Sequence, residues 1–274
     1  MDTTQKVMLS NTKEWIIHSQ KADYSYTINV SFPPSPPPED GYPIIYILDG
    51  NAYFQMAREV VRLQSKNAPK TFVNGAIVVG IGHTGEEKEA AKRRFLDFTA
   101  PAKTYTYPDR LKGRNLGEHG GAARFLEFIQ KELKPEIESR YSINKEKQAL
   151  FGHSLSGLFT LWTMFKEPNA FQTYLAISPS IWWNNHEMLA FKDWFQTQPK
   201  EKRRLLMAVG EREGFMADDA KKLLNQLKET QHLFVDCELY VAPEENHASV
   251  VPAVMSRAIR FANKYESPPR QTLC

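Results

Sequence analysis

The chain has 274 residues, and its hydrophobic fraction of 42% and charged fraction of 24% are ordinary for a globular protein. This composition excludes a disordered chain, a collagen-like repeat and a disulfide-rich miniprotein. The 35 lysines and arginines exceed the 32 aspartates and glutamates by 3, so the net charge does not indicate a nucleic-acid-binding protein.

The cellular compartment is predicted from cysteines and apolar runs. The two cysteines, Cys237 and Cys274, give no disulfide framework. The residues from Met1 to Trp15 are polar, unlike a secretory signal, and no apolar run reaches the ~18 residues of a membrane span. We therefore expect a reduced cytoplasmic protein that contacts neither membrane nor nucleic acid, and the sequence is silent about protein partners.

The predicted elements change in character after the first strands. Two strands come first, Glu14–His18 and Tyr24–Val30, and the prolines of Pro33–Pro38 then predict an exposed hairpin loop. After that, short apolar runs alternate with longer amphipathic segments, which predicts an α/β fold with a mostly parallel sheet and helices on both faces. The remaining predicted strands are Pro43–Leu48, Ala76–Ile81, Gln148–Gly152, Tyr174–Ser178, Leu205–Val209 and Val235–Val241. The predicted helices are Ala52–Ser65, His119–Tyr141, Ser156–Phe165, His186–Phe195, Asp218–Thr230 and Ala248–Tyr265.

The domain organisation follows from the uniform pattern. We find no internal repeat and no second composition regime, so we predict one α/β domain over residues 1–266. The polar stretch from Thr84 to Gly117 is predicted to be an insertion that forms a small lid. Residues 267–274 contain two prolines and are predicted to be a disordered tail.

The sharpest motif is Gly-His-Ser-Leu-Ser-Gly at residues 152–157. It differs by one residue from the Gly-x-Ser-x-Gly nucleophile elbow, because Ser156 occupies the second small position and Gly157 follows it. An apolar strand precedes the motif and a helix-like segment follows it, as an elbow requires. The motif predicts Ser154 as a nucleophile and the Leu155 amide as an oxyanion donor at a helix N-terminus. The alternative is a Gly/Ser turn without chemistry.

A serine nucleophile needs a base and an acid. His247 is predicted as the base because it lies between the last strand and the last helix. Glu213 is predicted as the acid because it stands three residues after Gly210, in the turn after a buried strand; Glu211 is the alternative. The order serine, acid, histidine is that of α/β-hydrolases. We expect the side chain of His153 to point away from the site.

A second oxyanion donor is predicted after the strand Pro43–Leu48, where Gly50 permits close backbone approach and the Asn51 amide can donate. The segment Gly-Ile-Gly-His-Thr-Gly at residues 80–85 matches a dinucleotide fingerprint, but no parallel strand ending in an acidic residue follows at the required distance. No residues have metal-ligand spacing, since His186 lacks a second histidine four residues on. We therefore predict no cofactor and no protein-bound metal.

These residues resemble a known family. The chain is similar to the esterase D-like, "putative esterase" group of α/β-hydrolases, and within it to the siderophore trilactone esterases that hydrolyse enterobactin and bacillibactin as ferric complexes. The similarity extends from about Trp15 to Tyr265. The segments that carry it are Leu48–Asn51, Arg94-x-x-Asp97-Phe-Thr, Phe125–Pro135, Gly152–Gly157, Ser178-Pro-Ser-Ile-Trp-Trp183 and Asn246-His247.

The resemblance implies roles for several residues. It makes Ser154 the nucleophile and His247 its base, and some members of this branch use such a pair without a placed acid. It puts Arg94 near the substrate and places Trp182 and Trp183 beside the site, where they could stack on a catechol; core or lid aromatics are the alternative.

The basic cluster Lys92–Arg94 agrees with this implication. A ferric tris-catecholate carries about three negative charges, and arginine suits such anionic oxygens. The alternative is a solvated helix face.

Together these inferences predict a serine esterase that hydrolyses the ester bonds of a trilactone siderophore and takes iron only as part of its substrate. A general carboxylesterase, a feruloyl-type esterase or a thioester hydrolase is the alternative of the same class. A catalytically silent ligand-binding member of the fold is the alternative of a different class.

Overall fold

The structure is a computed structural model that describes residues 8–194, 203–230 and 235–264, and its centre is an eight-stranded sheet. The strands are β1 Thr12–Ser19, β2 Tyr24–Ser31, β3 Tyr42–Leu48, β4 Ile77–His83, β5 Ile143–His153, β6 Thr173–Ile177, β7 Arg203–Gly210 and β8 Val235–Ala242. They lie in the order β1-β2-β4-β3-β5-β6-β7-β8. All pairs from β4 to β8 are parallel, whereas β2 pairs antiparallel with β1 and β4. This order confirms the mostly parallel sheet.

Helices cover both faces of the sheet, as the continuous apolar strands require. They are α1 Gly50–Gln64, α2 Ala68–Thr71, α3 Glu87–Phe98, α4 Ala122–Phe128, α5 Lys134–Arg140, α6 Leu155–Lys166, α7 Trp183–His186, α8 Phe215–Thr230 and α9 Val250–Ala262. A π-helical turn, Ile129–Leu133, joins α4 to α5. Side chains of α1 and α9 form one core layer, and those of α4, α6 and α8 form the other. Every residue of β3 and β4 is buried between these layers.

The hairpin predicted at Pro33–Pro38 is wrong. This exposed segment follows β2 and leads to β3, but the two strands are not neighbours because β4 lies between them. The prolines therefore lie in a crossover connection. Their missing N–H groups suit a segment that contributes nothing to the sheet ladder.

The helix predicted at His186–Phe195 is also wrong. The structure has the four-residue α7, followed by a 3₁₀ segment, Glu187–Trp194. Asn184, Asn185 and His186 all have positive φ, and a run of left-handed residues breaks a regular α-helix.

The predicted insertion from Thr84 to Gly117 contains α3, whose last turn is buried through Leu96 and Phe98. A short 3₁₀ turn, Asp109–Leu111, follows on the surface. The predicted tail, residues 267–274, lies outside the described residues, as do Cys274 and the predicted helix ends at positions 195 and 265. The predicted domain limits stay a prediction. None of the helices within the described ranges is long and apolar enough to cross a membrane.

Candidate active site

Loops at one edge of the sheet bring the polar side chains together. Asp49 follows β3, Ser154 follows β5, Ser178 follows β6, Glu213 follows β7 and His247 follows β8. Because these strands are parallel, their carboxyl ends meet at the same edge, where open α/β sheets bind ligands.

Ser154 lies at the tip of a strained turn between β5 and α6. Its φ of 61° and ψ of −117° are values that non-glycine residues rarely adopt, and such strain is typical of a nucleophile elbow. A side chain at Gly152 would overlap the carbonyl of Ser156, and one at Gly157 would lie 2.9 Å from the carbonyl oxygen of Ile177. The two glycines therefore let strand and helix approach closely enough to form the turn.

The imidazole of His247 joins the serine to a carboxylate. Its Nε2 lies 3.1 Å from the Ser154 Oγ, and its Nδ1 lies 3.0 Å from a Glu213 oxygen. The other Glu213 oxygen accepts hydrogen bonds from the Ser178 hydroxyl at 2.5 Å and the Gly210 N–H at 2.6 Å. This line of three side chains is the arrangement that activates a serine for nucleophilic attack.

The carboxylate of Glu213 is held in its charged form. Burial alone would raise its pKa, but hydrogen bonds from His247, Ser178 and Gly210 outweigh burial and place the pKa below its usual value. A charged acceptor at Nδ1 fixes the imidazole proton there. The unprotonated Nε2 of His247 therefore faces the serine hydroxyl.

Glu211, the alternative acid, lies elsewhere. Its carboxylate accepts the backbone N–H of Glu244 at 2.9 Å and is exposed. Of the two glutamates in this turn, Glu213 is the one that reaches the imidazole.

The two predicted oxyanion donors occupy helix N-termini. Leu155 is the first residue of α6, and Asn51 is the second residue of α1. The first N–H groups of a helix have no partner within that helix, so both amides are available to an anionic oxygen. The Asn51 side chain donates to the His83 carbonyl at 3.1 Å and ties α1 to the end of β4.

A buried network beneath the elbow is not apparent in the sequence. The Asp49 carboxylate receives two bonds from the Arg94 guanidinium, at 2.6 and 3.0 Å, and one from the Ser156 hydroxyl at 2.7 Å. Burial would raise the Asp49 pKa, but the charge and hydrogen bonds of Arg94, with the bond from Ser156, lower it below the usual value. The Ser156 Oγ also accepts the His153 N–H at 2.9 Å. Ser156, at the second small position of the motif, therefore links the elbow to the Asp49–Arg94 ion pair through hydrogen bonds.

The side chain of His153 contradicts the expectation that it points away from the site. Its ring lies 4.7 Å from the His247 ring, and its Nδ1 lies 2.9 Å from the Tyr53 hydroxyl. Burial, and then the nearby charge of His247, lower the pKa of His153 to about 4. A neutral imidazole therefore packs against the predicted base.

The basic cluster Lys92–Arg94 is not a free cationic patch. Lys92 pairs with Glu89 at 3.0 Å, and Arg93 pairs with the buried Asp97 at 3.0 Å. Of the three, Arg94 is the side chain that lines the cleft, and its charge is matched by Asp49. Neighbours in sequence diverge here because successive positions on a helix point about 100° apart.

The two tryptophans differ in position. Trp183 is fully buried, so the expectation that it stacks on a catechol is wrong. Trp182 is half-buried and carries the Arg110 guanidinium 4.2 Å from its ring centre. The rings that pack around Trp183 are Phe95, Tyr105, Tyr107 and His119.

An open cleft of about 680 Å³ leads to Ser154, which is within the size range of small-molecule sites. His153, His247, Asn51 and Arg94 also line it. Helix α3 contributes further lining residues, so the predicted insertion forms one wall of the cleft.

Gly80 and Gly82, within the segment 80–85, serve packing. A side chain at Gly80 would approach the Phe54 ring within 3.0 Å, and one at Gly82 would overlap the Asn51 side chain. These glycines make room for α1 against β4. No group of three or more potential metal ligands occurs in the described part of the chain, and the absence of a cofactor stays a prediction.

The sheet order, the elbow and the serine–histidine–glutamate line define an α/β-hydrolase. The family described as "Putative esterase" matches residues 19–250. The chain is 40% identical to the ferri-bacillibactin esterase BesA of Bacillus subtilis, over 97% of this chain and 94% of that protein. It is 31% identical to the siderophore enterobactin esterase of Emericella nidulans, over 92% and 93%.

Solved structures agree with these matches. The crystal structure of the BES protein from Bacillus cereus has a TM-score of 0.88 at 39% identity, covering 96% of this chain and 100% of that one. The siderophore hydrolase EstA from Aspergillus nidulans has a TM-score of 0.80 at 29% identity, covering 95% and 98%. The chain belongs to this esterase family, and it is a carboxylic ester hydrolase.

Proposed function

We propose that this enzyme hydrolyses the ester bonds of a trilactone catecholate siderophore, such as ferric bacillibactin or enterobactin, and thereby releases iron. The observation that carries the proposal is the line from Ser154 through His247 to Glu213, in which the serine and the histidine line an open cleft. The relatives named for ferri-bacillibactin and enterobactin esterase activity support this substrate class.

Ser154 is the proposed nucleophile. Its Oγ attacks the ester carbonyl carbon while His247 Nε2 accepts the hydroxyl proton. Glu213 keeps the other imidazole proton at Nδ1 and stabilises the imidazolium. The N–H groups of Leu155 and Asn51 donate to the oxyanion of the tetrahedral intermediate.

The second half of the reaction regenerates the enzyme. The His247 imidazolium gives its proton to the leaving alkoxide, and the carbon–oxygen bond of the ester breaks to leave an acyl group on Ser154. Water then attacks this acyl group while His247 accepts a proton from it. The bond between the Ser154 Oγ and the acyl carbon breaks, the imidazolium returns the proton to the serine oxygen, and a carboxylic acid is released. Repeated cuts open the ring and weaken the hold of the ligand on iron.

Iron enters with the substrate, and the proposal includes no cofactor. The substrate is the one proposed partner. We place the reaction in the cytoplasm, and the free thiol of Cys237, which lies half-buried on β8, is consistent with a reducing compartment. Cell fractionation followed by activity measurement tests this location.

The direct test incubates the purified enzyme with ferric bacillibactin and identifies linear products by mass spectrometry. We expect linear trimers and monomers, and unchanged trilactone would overturn the substrate. Cleavage of small nitrophenyl esters alone would favour a general esterase. A fluorophosphonate should label the wild type and not Ser154→Ala, whereas a silent binding protein would not be labelled.

A further inference from the structure

Arg110 lies between two aromatic rings at the surface. It belongs to the 3₁₀ turn Asp109–Leu111 of the insertion. Its guanidinium carbon is 4.2 Å from the ring centre of Trp182 and 4.9 Å from that of Phe215. We refer to these three side chains as the Arg110 clasp. Phe215 is 48% exposed, which is unusual for a large apolar ring.

The clasp lies next to the proposed catalytic residues. Trp182 comes two residues after Ser180, whose hydroxyl oxygen is 3.3 Å from the Ser154 Oγ. Phe215 comes two residues after Glu213, which contacts the imidazole. Two residues of extended chain span at most about 7 Å, so the backbone of each ring residue lies close to a residue that contacts the proposed catalytic side chains. The rings themselves lie outside the lining of the cleft at Ser154, where an arm of a large substrate would extend beyond it.

The charge of Arg110 is not matched within the described part of the chain. Arg110 makes no ion pair or hydrogen bond to a residue that the structure describes, whereas Lys112, two positions on, pairs with Asp109 at 2.6 Å. The contacts of Arg110 with the two aromatic rings are cation–π contacts, which use the positive charge of the guanidinium and none of its N–H donors. Within the described part of the chain, the N–H donors of Arg110 therefore remain for another acceptor.

The charge of the proposed substrate depends on iron. A free catechol is neutral near pH 7, whereas three catecholate dianions around Fe³⁺ carry about three negative charges in total. Arg94 is neutralised by Asp49, and the rest of the basic cluster is paired away from the cleft. The clasp therefore offers the positive charge that such a complex needs.

We propose that Arg110 binds the catecholate oxygens of one substrate arm and makes the enzyme prefer the iron-loaded trilactone over the iron-free one. This inference rests on the proposed function, since it deepens the substrate choice of the same site. The rings of the clasp hold the guanidinium in one orientation, which lowers the entropy cost of binding. Aromatic surroundings also suit an aromatic ligand.

The test measures binding separately from hydrolysis. Titrations of Ser154→Ala with ferric and iron-free bacillibactin, followed by tryptophan fluorescence, give two dissociation constants without turnover. The same titrations are made with Arg110→Gln or Lys112→Gln added. The lysine is the matched control, because it has the same charge and lies in the same turn region but already has a carboxylate partner.

We expect Arg110→Gln to weaken ferric bacillibactin binding about tenfold and iron-free binding less than twofold, because a charged hydrogen bond is lost only with the anion. Lys112→Gln should change neither by more than about twofold. Equal weakening of both ligands, or no weakening, would overturn the role of Arg110. Hydrolysis of ferric bacillibactin by the wild type is measured in parallel. If the wild type does not hydrolyse it, the proposed function is wrong, whatever the role of Arg110 in binding.

Discussion

The Ser156 hydroxyl donates a 2.7 Å hydrogen bond to the Asp49 carboxylate, across 107 residues of sequence and beneath the strained turn that carries Ser154. In the sequence, Ser156 is only a tolerated replacement for the second glycine of the standard nucleophile elbow. In the structure its oxygen also accepts the His153 N–H, and so it connects the elbow backbone to the Asp49–Arg94 ion pair. Glycine could not make this connection.

Replacement of Ser156 by alanine should therefore affect both stability and rate. The substitution leaves the His153 N–H without its acceptor and removes one donor from Asp49, both in a buried region, at a cost of about 1–3 kcal/mol. A small shift of the elbow should lower kcat about tenfold. Chemical denaturation and ester hydrolysis measure the two effects. Ser139→Ala, at an exposed serine, should change neither, and a Ser156→Ala enzyme as stable as wild type would contradict this account.

Glu213→Gln tests the carboxylate partner of His247. The amide cannot act as a purely accepting charged group at Nδ1, so the imidazole loses its fixed tautomer and the imidazolium its stabilisation. We expect kcat to fall about 10²–10⁴-fold with KM changed less than about threefold. The steady-state kinetics of Glu211→Gln provide the control, because that carboxylate accepts a surface backbone N–H instead of the imidazole proton. Full activity of Glu213→Gln would indicate a serine–histidine pair that needs no acid.

The sequence predicts the parts of this site that depend on chain order. The strand–turn–helix around Ser154, the positions of Glu213 and His247 after successive strands, and the parallel sheet all follow from local patterns. The ion pair or hydrogen bond that each polar side chain forms cannot be predicted from local patterns, because its partner lies far away in the sequence. Arg94 finds its carboxylate 45 residues earlier, and His153 meets the Tyr53 hydroxyl 100 residues earlier.

The same limit applies to the adjacent tryptophans Trp182 and Trp183. No local pattern distinguishes them, because the burial of Trp183 depends on rings of the insertion and of the segment before α4 that pack around it. The proline-rich connection is a similar case, since only the sheet order reveals that its two strands are not neighbours.

The difference between the tryptophans gives a stability prediction. Trp183→Ala removes a fully buried ring and should lower the free energy of unfolding by about 3–5 kcal/mol. Trp182→Ala removes a half-buried ring and should cost about 1 kcal/mol. Urea denaturation of both variants measures the difference. Equal destabilisation would mean that Trp183 is not enclosed as the structure describes.

The neutral state of His153 predicts how stability depends on pH. Its pKa of about 4 in the folded protein lies below the unfolded value of 6.5, so the unfolded chain binds more protons between these two pH values. The free energy of unfolding therefore falls as the pH is lowered through this window, and this one group accounts for about 2 kcal/mol between pH 7 and pH 4.5. The free energy of unfolding of His153→Gln should therefore fall by about 2 kcal/mol less than that of the wild type over this range. At pH 7 the variant is less stable than the wild type.

Denaturant unfolding at a series of pH values measures how the free energy of unfolding depends on pH. Because the same carboxylates titrate in every variant, their contribution cancels when the variants are compared. His18→Gln serves as the control, because His18 is exposed on β1, where its ring contacts the Ser25 hydroxyl. It should keep the wild-type slope to within about 0.5 kcal/mol. If His153→Gln loses stability on acidification as steeply as the wild type, His153 carries a proton in the folded state.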